Sequence, residues 1–264
     1  MAELLFGTGG TPHSAKDRST GAGIERIREL ELDSLEVEFV HGVRTGEEKC
    51  RAYGELAREH GVALTCHGPY YINLNSREED KRKASIERVL RTARAAHWLG
   101  AESITFHAAF FMKEDAEKVY GVVRDALEGI LEQLDRENIR DVRISPELTG
   151  KPTQWGSLEE LVRICNDLDG VYPCIDFAHN HARLGGGQNS YDEFSKTLQT
   201  IEKELGEEYL ERLHIHVSGI EYGPKGERNH LVLRESDLRY MELLQALKDH
   251  RVGGIVVCES PNLE

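Results

Sequence analysis

Long hydrophobic runs are missing from this sequence. No apolar stretch approaches the roughly 20 residues that a helix needs to cross a bilayer. Residues 1–7 also lack the basic segment, apolar stretch and cleavage site of a secretory signal. We therefore expect a cytoplasmic protein that does not enter a membrane.

Cysteine pairs with metal-binding or redox spacing are also missing. The five cysteines are odd in number and widely spaced, with no Cys-x-x-Cys sequence among them: Cys50, Cys66, Cys165, Cys174 and Cys258. This pattern excludes a zinc knuckle and a dithiol redox motif. We expect these side chains to be buried as small hydrophobic groups in a reducing compartment.

Basic residues are scarce relative to acidic ones. The chain has 33 Lys and Arg against 47 Asp and Glu, and its formal net charge is −14. A protein that coats nucleic acid shows a basic surface, so this balance argues against such a general role. Divalent cations would offset part of the charge locally if several of the carboxylates are metal ligands.

Short apolar segments alternate with long amphipathic ones along the chain, which is typical of repeated βα units and a parallel sheet. No Gly-x-Gly-x-x-Gly or Walker loop is present to favour an open nucleotide-binding sheet. At 264 residues, the chain has the length of one (β/α)8 domain. We predict an α/β fold, a (β/α)8 TIM barrel formed as a single domain by residues 1–264. Seven helical stretches separate its eight strand candidates, which are 4–7, 35–40, 63–67, 103–107, 143–147, 172–178, 213–217 and 254–259.

Several helix boundaries are marked in the sequence. After the third strand, apolar residues recur at helical spacing between Ile86 and Ala96, and Gly100 supplies a stop. A serine followed three residues later by glutamate predicts capping boxes at Ser76, Ser157 and Ser190. The sequence ends five residues after Glu259, so we expect a barrel without the helix that would follow the eighth strand.

Side chains that bind metals recur at the carboxyl ends of the predicted strands. These ends converge on one face of a TIM barrel, where its active sites lie. Imidazoles and carboxylates are the ligands of zinc and similar cations, and buried carboxylates without a cation would be costly. A single four-coordinate ion would leave several of these side chains unused, which favours a cluster of two or three ions. The candidates are His67, His107, Glu147, Asp176, His179, His216 and Glu259.

The segments around these side chains resemble the endonuclease IV family of apurinic/apyrimidinic endonucleases (AP endonuclease family 2), whose barrel is xylose isomerase-like. The most specific match is His67 followed by Tyr70 and by Ile72-Asn73-Leu74. The resemblance runs nearly end to end, and weaker matches occur in the family's order at 106–107, 146–150, 174–179, 214–216 and 258–261.

The resemblance implies a zinc enzyme of DNA base excision repair that hydrolyses the phosphodiester 5′ to an abasic site and leaves a 3′-hydroxyl. The seven candidates would be the zinc ligands, and Glu147 would be a catalytic carboxylate that bridges two ions beside the attacking water. Tyr70 matches a tyrosine that is inserted at the lesion and holds the flipped-out nucleotide. The partner would be DNA containing abasic sites, bound by a monomer.

Two departures from the family pattern affect one corner of this site. An Asp-Arg-His triplet, which supplies two ligands to a third ion, is replaced by Glu227-Arg228-Asn229-His230. We predict that Glu227 and His230 take over as ligands and that Arg228 contacts substrate, although Asn229 occupies the histidine position. Ser218-Gly219 also stands where the family has Asn-Asp. Both departures therefore affect the predicted third zinc site.

Two alternatives remain open. A sugar isomerase or epimerase of the same barrel superfamily would use one Mn or Mg ion and a pair of glutamates. It needs only about four ligands and leaves His67 and His107 without a role, so the ligand count favours the nuclease. An inactive barrel that acts as a binding protein is the other alternative, and it predicts little or no bound metal.

Overall fold

The computed structural model describes residues 3–264. The strands are β1 Leu4–Gly9, β2 Ser34–Glu38, β3 Ala63–His67, β4 Ser103–Phe106, β5 Ala109–Phe110, β6 Arg143–Pro146, β7 Gln154–Trp155, β8 Cys174–Asp176, β9 Leu213–Val217, β10 Gly219–Gly223, β11 Gly226–Leu231 and β12 Gly254–Cys258. The α-helices are α1 Thr20–Glu29, α2 Glu47–His60, α3 Glu79–Leu99, α4 Ala116–Arg136, α5 Leu158–Asp167, α6 Phe177–Arg183, α7 Tyr191–Leu205, α8 Glu207–Leu210 and α9 Tyr240–Asp249, with a 3-10 turn at Leu233–Glu235.

Eight parallel strands form one sheet that nearly closes into a barrel. Their order is β6-β4-β3-β2-β1-β12-β9-β8. The two end strands are linked by the bridges Ile144–Val171 and Glu147–Cys174. These are the eight strands predicted from the sequence, so the α/β TIM barrel is confirmed. Within residues 3–264 no helix follows β12, and no helix is both long and apolar enough to cross a membrane.

The helix boundaries confirm most of the predicted signals. Gly100 ends α3 in the left-handed conformation, Ser157 and Glu160 form a complete capping box, and Ser190 caps α7. The prediction for Ser76 is wrong, because α3 begins after Glu78 without a side-chain cap. The Ser76 backbone N–H instead donates to the carbonyl of Asn73, in a turn that delays the helix.

Two antiparallel additions were not predicted from the sequence. β5 pairs with β7, whose two-residue length is too short to give a periodic signal. β10 and β11 form a hairpin after β9 that packs on α6, at the end of the barrel where the parallel strands finish.

The barrel interior is unusually polar near this end. Interiors of TIM barrels are mostly filled by branched aliphatic side chains. Here Glu36 of β2 meets His214 and His216 of β9, although these strands are not neighbours in the sheet, so the contact crosses the interior. The polar residues fully buried on the strands include Thr8, Ser34, Glu36, Thr65, Ser103, Thr105, Ser145, His214 and His216.

Candidate metal centre

A cavity of about 450 Å³ opens where the parallel strands end. Most of the metal-binding side chains predicted from the sequence line it, and Asp176 and His216 are fully buried nearby. Tyr70 lines the rim and is 65% exposed, whereas Arg228 does not line the cavity. The predicted residues in the lining are His67, His107, Glu147, His179, Glu227, His230 and Glu259, joined by Glu38, Lys151 and Gln154.

Glu147 lies at the centre of the cluster, directly after β6. Its Oε2 atom is 3.2 Å from Nε2 of His67 and 3.3 Å from Nε2 of His107. Its Oε1 atom is 3.0 Å from Nδ1 of His179 and 3.5 Å from Nδ1 of His216. The two oxygens of this buried carboxylate thus face different imidazoles, so a cation could bind beside each oxygen.

The hydrogen bonds of His67 leave its Nε2 atom able to bind a cation. Its Nδ1 lies 2.7 Å from the carbonyl oxygen of Gly68, which can only accept, so Nδ1 donates. In the neutral imidazole, Nε2 then carries a lone pair that faces the carboxylate of Glu147. A proton or a cation must separate these two acceptors. A tetrahedral zinc ion with bonds of about 2.05 Å would place its ligand atoms about 3.3 Å apart, close to the observed distances.

A second group of potential ligands comprises Glu147, Asp176, His216 and Glu259. Asp176 is the N-cap of α6, where its Oδ1 accepts from the backbone N–H of His179 at 2.7 Å. Its other oxygen, Oδ2, is buried without a hydrogen-bond partner, as is Oε2 of Glu259. Nδ1 of His216 lies 3.4 Å from that oxygen of Glu259. Buried acceptors without donors are costly, and a bound cation would satisfy them.

His179 lies on helix α6, so the prediction that it ends the sixth strand is wrong. The strand stops at Asp176, whose side chain caps the helix that begins at Phe177. His179 is the third residue after the Asp176 cap, and its Nδ1 lies 3.0 Å from the carbonyl oxygen of Leu148. The aspartate at the strand end was the sequence signal for this early helix start.

A β-bulge in the hairpin directs Glu227 and His230 to the same face. Ile220 pairs with His230 and Glu221 with Asn229, but Tyr222 pairs with Glu227, so Arg228 is the extra residue. Paired residues point to one face of an antiparallel ribbon, and faces alternate along each strand. Glu227 and His230 therefore share the face of Ile220. Arg228 and Asn229 are exposed, and Glu221 binds both of them on the outer side.

The bulge completes a third group around His179. Nε2 of His179 lies 3.4 Å from Nε2 of His230 and 3.7 Å from Oε2 of Glu227. Both imidazoles have their Nδ1 atoms near backbone carbonyls, of Leu148 and Glu259, which leaves their Nε2 lone pairs facing each other. This convergence fits a metal ion. Asn229, at the histidine position of the family pattern, faces away from the group.

Glu36 is a functional candidate to which sequence reasoning gave no role. Its Oε2 accepts from Thr65 at 2.9 Å, and both oxygens lie 2.9 Å from an Nε2 atom, one of His214 and one of His216. Neither imidazole contact has hydrogen-bond geometry, and burial lowers the pKa of His214, so its ring meets the carboxylate as a neutral imidazole. These contacts hold His216 from the side opposite the cavity. The sequence signal for this role of Glu36 was the presence of glutamates in β2, a strand whose other residues are apolar or small.

The charges of the cluster depend on one another. Burial alone would raise the pKa of Glu147, but the imidazoles of His107 and His216 hold it well below its ordinary value. Burial would lower the pKa of His179, but the carboxylates of Asp176 and Glu147 raise it to about 10. Burial raises the pKa of Glu38 to about 8. The carboxylates therefore require positive charge beside them, which protons on the imidazoles or metal ions can supply.

Comparison with known proteins places this geometry in context. Residues 24–264 match a family model described as xylose isomerase-like TIM barrel. An uncharacterized protein of Methanocaldococcus jannaschii is 41% identical over 263 residues, which cover 99% of this chain and 93% of that protein. A probable endonuclease 4 of Mycoplasma pneumoniae is 24% identical over 216 residues, 78% of this chain and 72% of that protein.

Solved structures show the same fold. Endonuclease IV from Thermus thermophilus aligns with a TM-score of 0.73 at 17% identity, covering 97% of this chain and 92% of its own. A D-tagatose 3-epimerase-like protein aligns with a TM-score of 0.74 at 21% identity, covering 98% and 91%. The resemblance to endonuclease IV is thus confirmed, while identities this low show the fold alone and leave the reaction to the site.

Proposed function

Because this chain belongs to the family of xylose isomerase-like TIM barrels, we propose that its strand-end cluster binds two or three zinc ions and hydrolyses the phosphodiester 5′ to an abasic site in DNA. The central position of Glu147 carries this proposal. Its Oε2 faces the Nε2 atoms of His67 and His107, and its Oε1 faces Nδ1 of His216 in the group that includes Asp176 and Glu259, which supports two adjacent ions. Two-metal sites are typical of enzymes that hydrolyse phosphate esters.

The metal ions, water and the side chains of the cavity would have separate roles in hydrolysis. Zinc ions, when bound, would supply Lewis-acid stabilisation of the phosphoryl oxygens and lower the pKa of water. Among the described residues lining the cavity there is no Ser, Thr or Cys, and burial raises the pKa of the Tyr70 hydroxyl to about 12, so we infer that water is the nucleophile. The oxygen of water would bond to phosphorus and lose a proton while the P–O3′ bond breaks, and the 3′ oxygen would take up a proton and leave as a hydroxyl, with the phosphate remaining on the 5′ oxygen of the abasic nucleotide. Lys151, on the cavity wall, would contact the incoming phosphate.

Tyr70 would select for a nucleotide that has lost its base. Its exposed ring stands at the rim of the cavity, with its centroid 6.1 Å from that of His67. An aromatic ring in this position can fill the gap in the base stack while the abasic sugar enters the cavity. The cavity volume of about 450 Å³ falls in the range of small-ligand sites.

Incision of a duplex with one abasic-site analogue tests this function. Zinc-loaded protein should nick the damaged strand on the 5′ side of the analogue and leave a 3′ end that a polymerase can extend. Glu147→Gln should lower the rate at least about 100-fold, because it removes the bridging charge. Glu221→Gln removes an exposed carboxylate from the outer face of the hairpin and is the matched control. Absence of nicking by the zinc-loaded wild type contradicts the proposal.

A sugar isomerase or epimerase is the second candidate, since the group of Glu147, Asp176, His216 and Glu259 could serve one ion by itself. His67→Ala separates the two functions. Phosphodiester hydrolysis needs the ion held by His67, whereas isomerisation at the second group does not. Manganese-dependent isomerisation of a free sugar by the His67→Ala variant would favour the second candidate.

A further inference from the structure

A basic cavity lies beside the metal centre and has no part in the chemistry described above. It encloses about 340 Å³ and is lined by His41, Arg44, Tyr71, Arg88 and Arg91 with neighbouring backbone. We propose that this cavity binds phosphate groups of the DNA strand that continues past the incised linkage. This inference rests on the proposed function, because it identifies how the same site holds its polyanionic substrate.

The charge of this cavity differs from that of the rest of the chain. The net charge is −14, yet none of the described residues lining the cavity is a carboxylate. Among residues 3–264, Arg44 and Arg88 have no carboxylate within ion-pair distance, and Arg91 has only a contact of 3.7 Å with Glu87. Guanidinium groups without a partner retain their hydrogen-bond donors for a phosphate.

Three other basic residues of this face already have a carboxylate beside them. Lys16 contacts Glu25, and Arg228 lies 3.2 Å from Glu221. Lys151 lies 3.8 Å from Glu227. The arginine cavity is therefore the described place near the metal centre where several cationic groups stand together without carboxylates.

The side chains of the cavity are held in position to bind an anion. The guanidinium carbon of Arg88 lies 4.8 Å from the centroid of the Tyr71 ring, and Nη1 of Arg88 donates to the Tyr71 carbonyl at 3.5 Å, which fixes the group and leaves its other N–H groups for an anion. Arg91 follows three residues later and so lies on the same face of α3. Arg44 approaches from the loop after β2. Gly42 in that loop has a φ of +93°, a conformation that glycine adopts without strain.

The linings of the basic cavity and of the metal cavity include neighbouring residues of the chain. Tyr70 lines the metal cavity and Tyr71 lines the basic one, so consecutive residues, with Cα atoms about 3.8 Å apart, separate the two. A strand whose abasic nucleotide lies beside Tyr70 would bring its next phosphates to the arginines. The cavity thus supplies the local positive charge that an acidic protein needs to hold DNA.

Equilibrium binding of DNA tests the inference. The probe is a fluorescein-labelled duplex with an abasic-site analogue and a methylphosphonate at the scissile linkage, titrated with zinc-loaded protein and followed by anisotropy. The variant is Arg44→Ala/Arg88→Ala/Arg91→Ala. The control, Arg58→Ala/Arg136→Ala/Arg140→Ala, removes the same charge from the opposite end of the barrel, on α2, on α4 and before β6.

Three lost phosphate contacts should reduce the slope of log Kd against log salt by about 2.7. The wild type should therefore lose about 40-fold more affinity than the variant between about 50 and 200 mM salt, while the control keeps the wild-type slope. Hydrolysis of bis(4-nitrophenyl) phosphate, too small to reach the arginines, should be unchanged in the variant.

The outcomes separate this inference from the proposed function. Equal slopes for the variant and the wild type overturn the inference, even if the wild type nicks damaged DNA. A wild type that binds the duplex through the arginines but does not nick it supports the basic cavity and contradicts the nuclease. An equal loss in the control shows that total charge, not this cavity, governs binding, and also overturns the inference.

Discussion

Replacing His230 tests whether the bulged hairpin builds the third metal site. His230→Ala removes one of two imidazole Nε2 atoms that face each other at 3.4 Å. Without it, a third ion would keep His179 and the more distant carboxylate of Glu227. We expect the affinity for that ion to fall at least about 100-fold, beyond the usual effect of losing an outer hydrogen-bond partner. Zinc per protein after gel filtration should fall by one equivalent.

Asn229 supplies the matched control. Asn229→Ala removes an exposed hydrogen bond of 3.1 Å to Glu221, which contributes about 0.5 kcal/mol or less, and should retain the full zinc content. Deleting Asn229 would convert the bulge into regular pairing and place Glu227 and the histidine two positions apart, again on one face. That variant should also keep the third ion. Loss of zinc by Asn229→Ala, or its retention by His230→Ala, would refute the bulge argument.

Three further predictions concern stability. Arg94 donates two hydrogen bonds of 2.7 Å to Glu137 and lowers the pKa of that carboxyl to about 2. The pair therefore stabilises the fold at pH values above the ordinary carboxyl pKa, and this contribution is lost as the pH falls toward 2. Glu137→Gln should cost about 1 kcal/mol in urea unfolding at neutral pH, and the difference from wild type should shrink in acid; a constant difference would exclude the ion pair as its cause. Gly226 has a φ of +87°, and a Cβ there would lie 2.2 Å from the carbonyl oxygen of Gly150. Gly226→Ala should therefore destabilise the protein by about 2 kcal/mol or more in thermal unfolding. An unchanged transition would show that the hairpin tip is not held against the loop that contains Gly150. Removing zinc with a chelator should lower the unfolding temperature, because an ion present at about 100 times its Kd contributes about 2.7 kcal/mol; identical transitions with and without chelator would mean that the cluster binds no metal in the folded state.

The strand-end residues could be predicted because position along a parallel strand fixes which end of the barrel a side chain reaches. His67, Glu147 and Glu259 follow this rule, and the family resemblance agreed with it. The rule does not apply to His179, whose position depends on a helix cap, a detail set by the side chain of Asp176. Position at strand ends therefore predicted that His179 lies near the cluster but assigned it to the wrong element.

Features that depend on pairing between distant segments could not be predicted. The sequence indicated ligand candidates among residues 227–230. Only the register of the hairpin shows which of these side chains point inward. The arginine cavity gave no sequence signal at all, because Arg44 and Arg88 come from different loops and helices. The contacts of Glu36 with the two imidazoles likewise form across the barrel interior.

Anomalous diffraction at the zinc edge from zinc-loaded crystals tests the central claim most directly, namely that Glu147 bridges two ions. We predict one peak bounded by His67, His107 and one oxygen of Glu147, and a second beside its other oxygen near His216. A third peak should lie near His179. A single peak at the second position, with none beside His67 and His107, would contradict the account and leave a one-ion barrel.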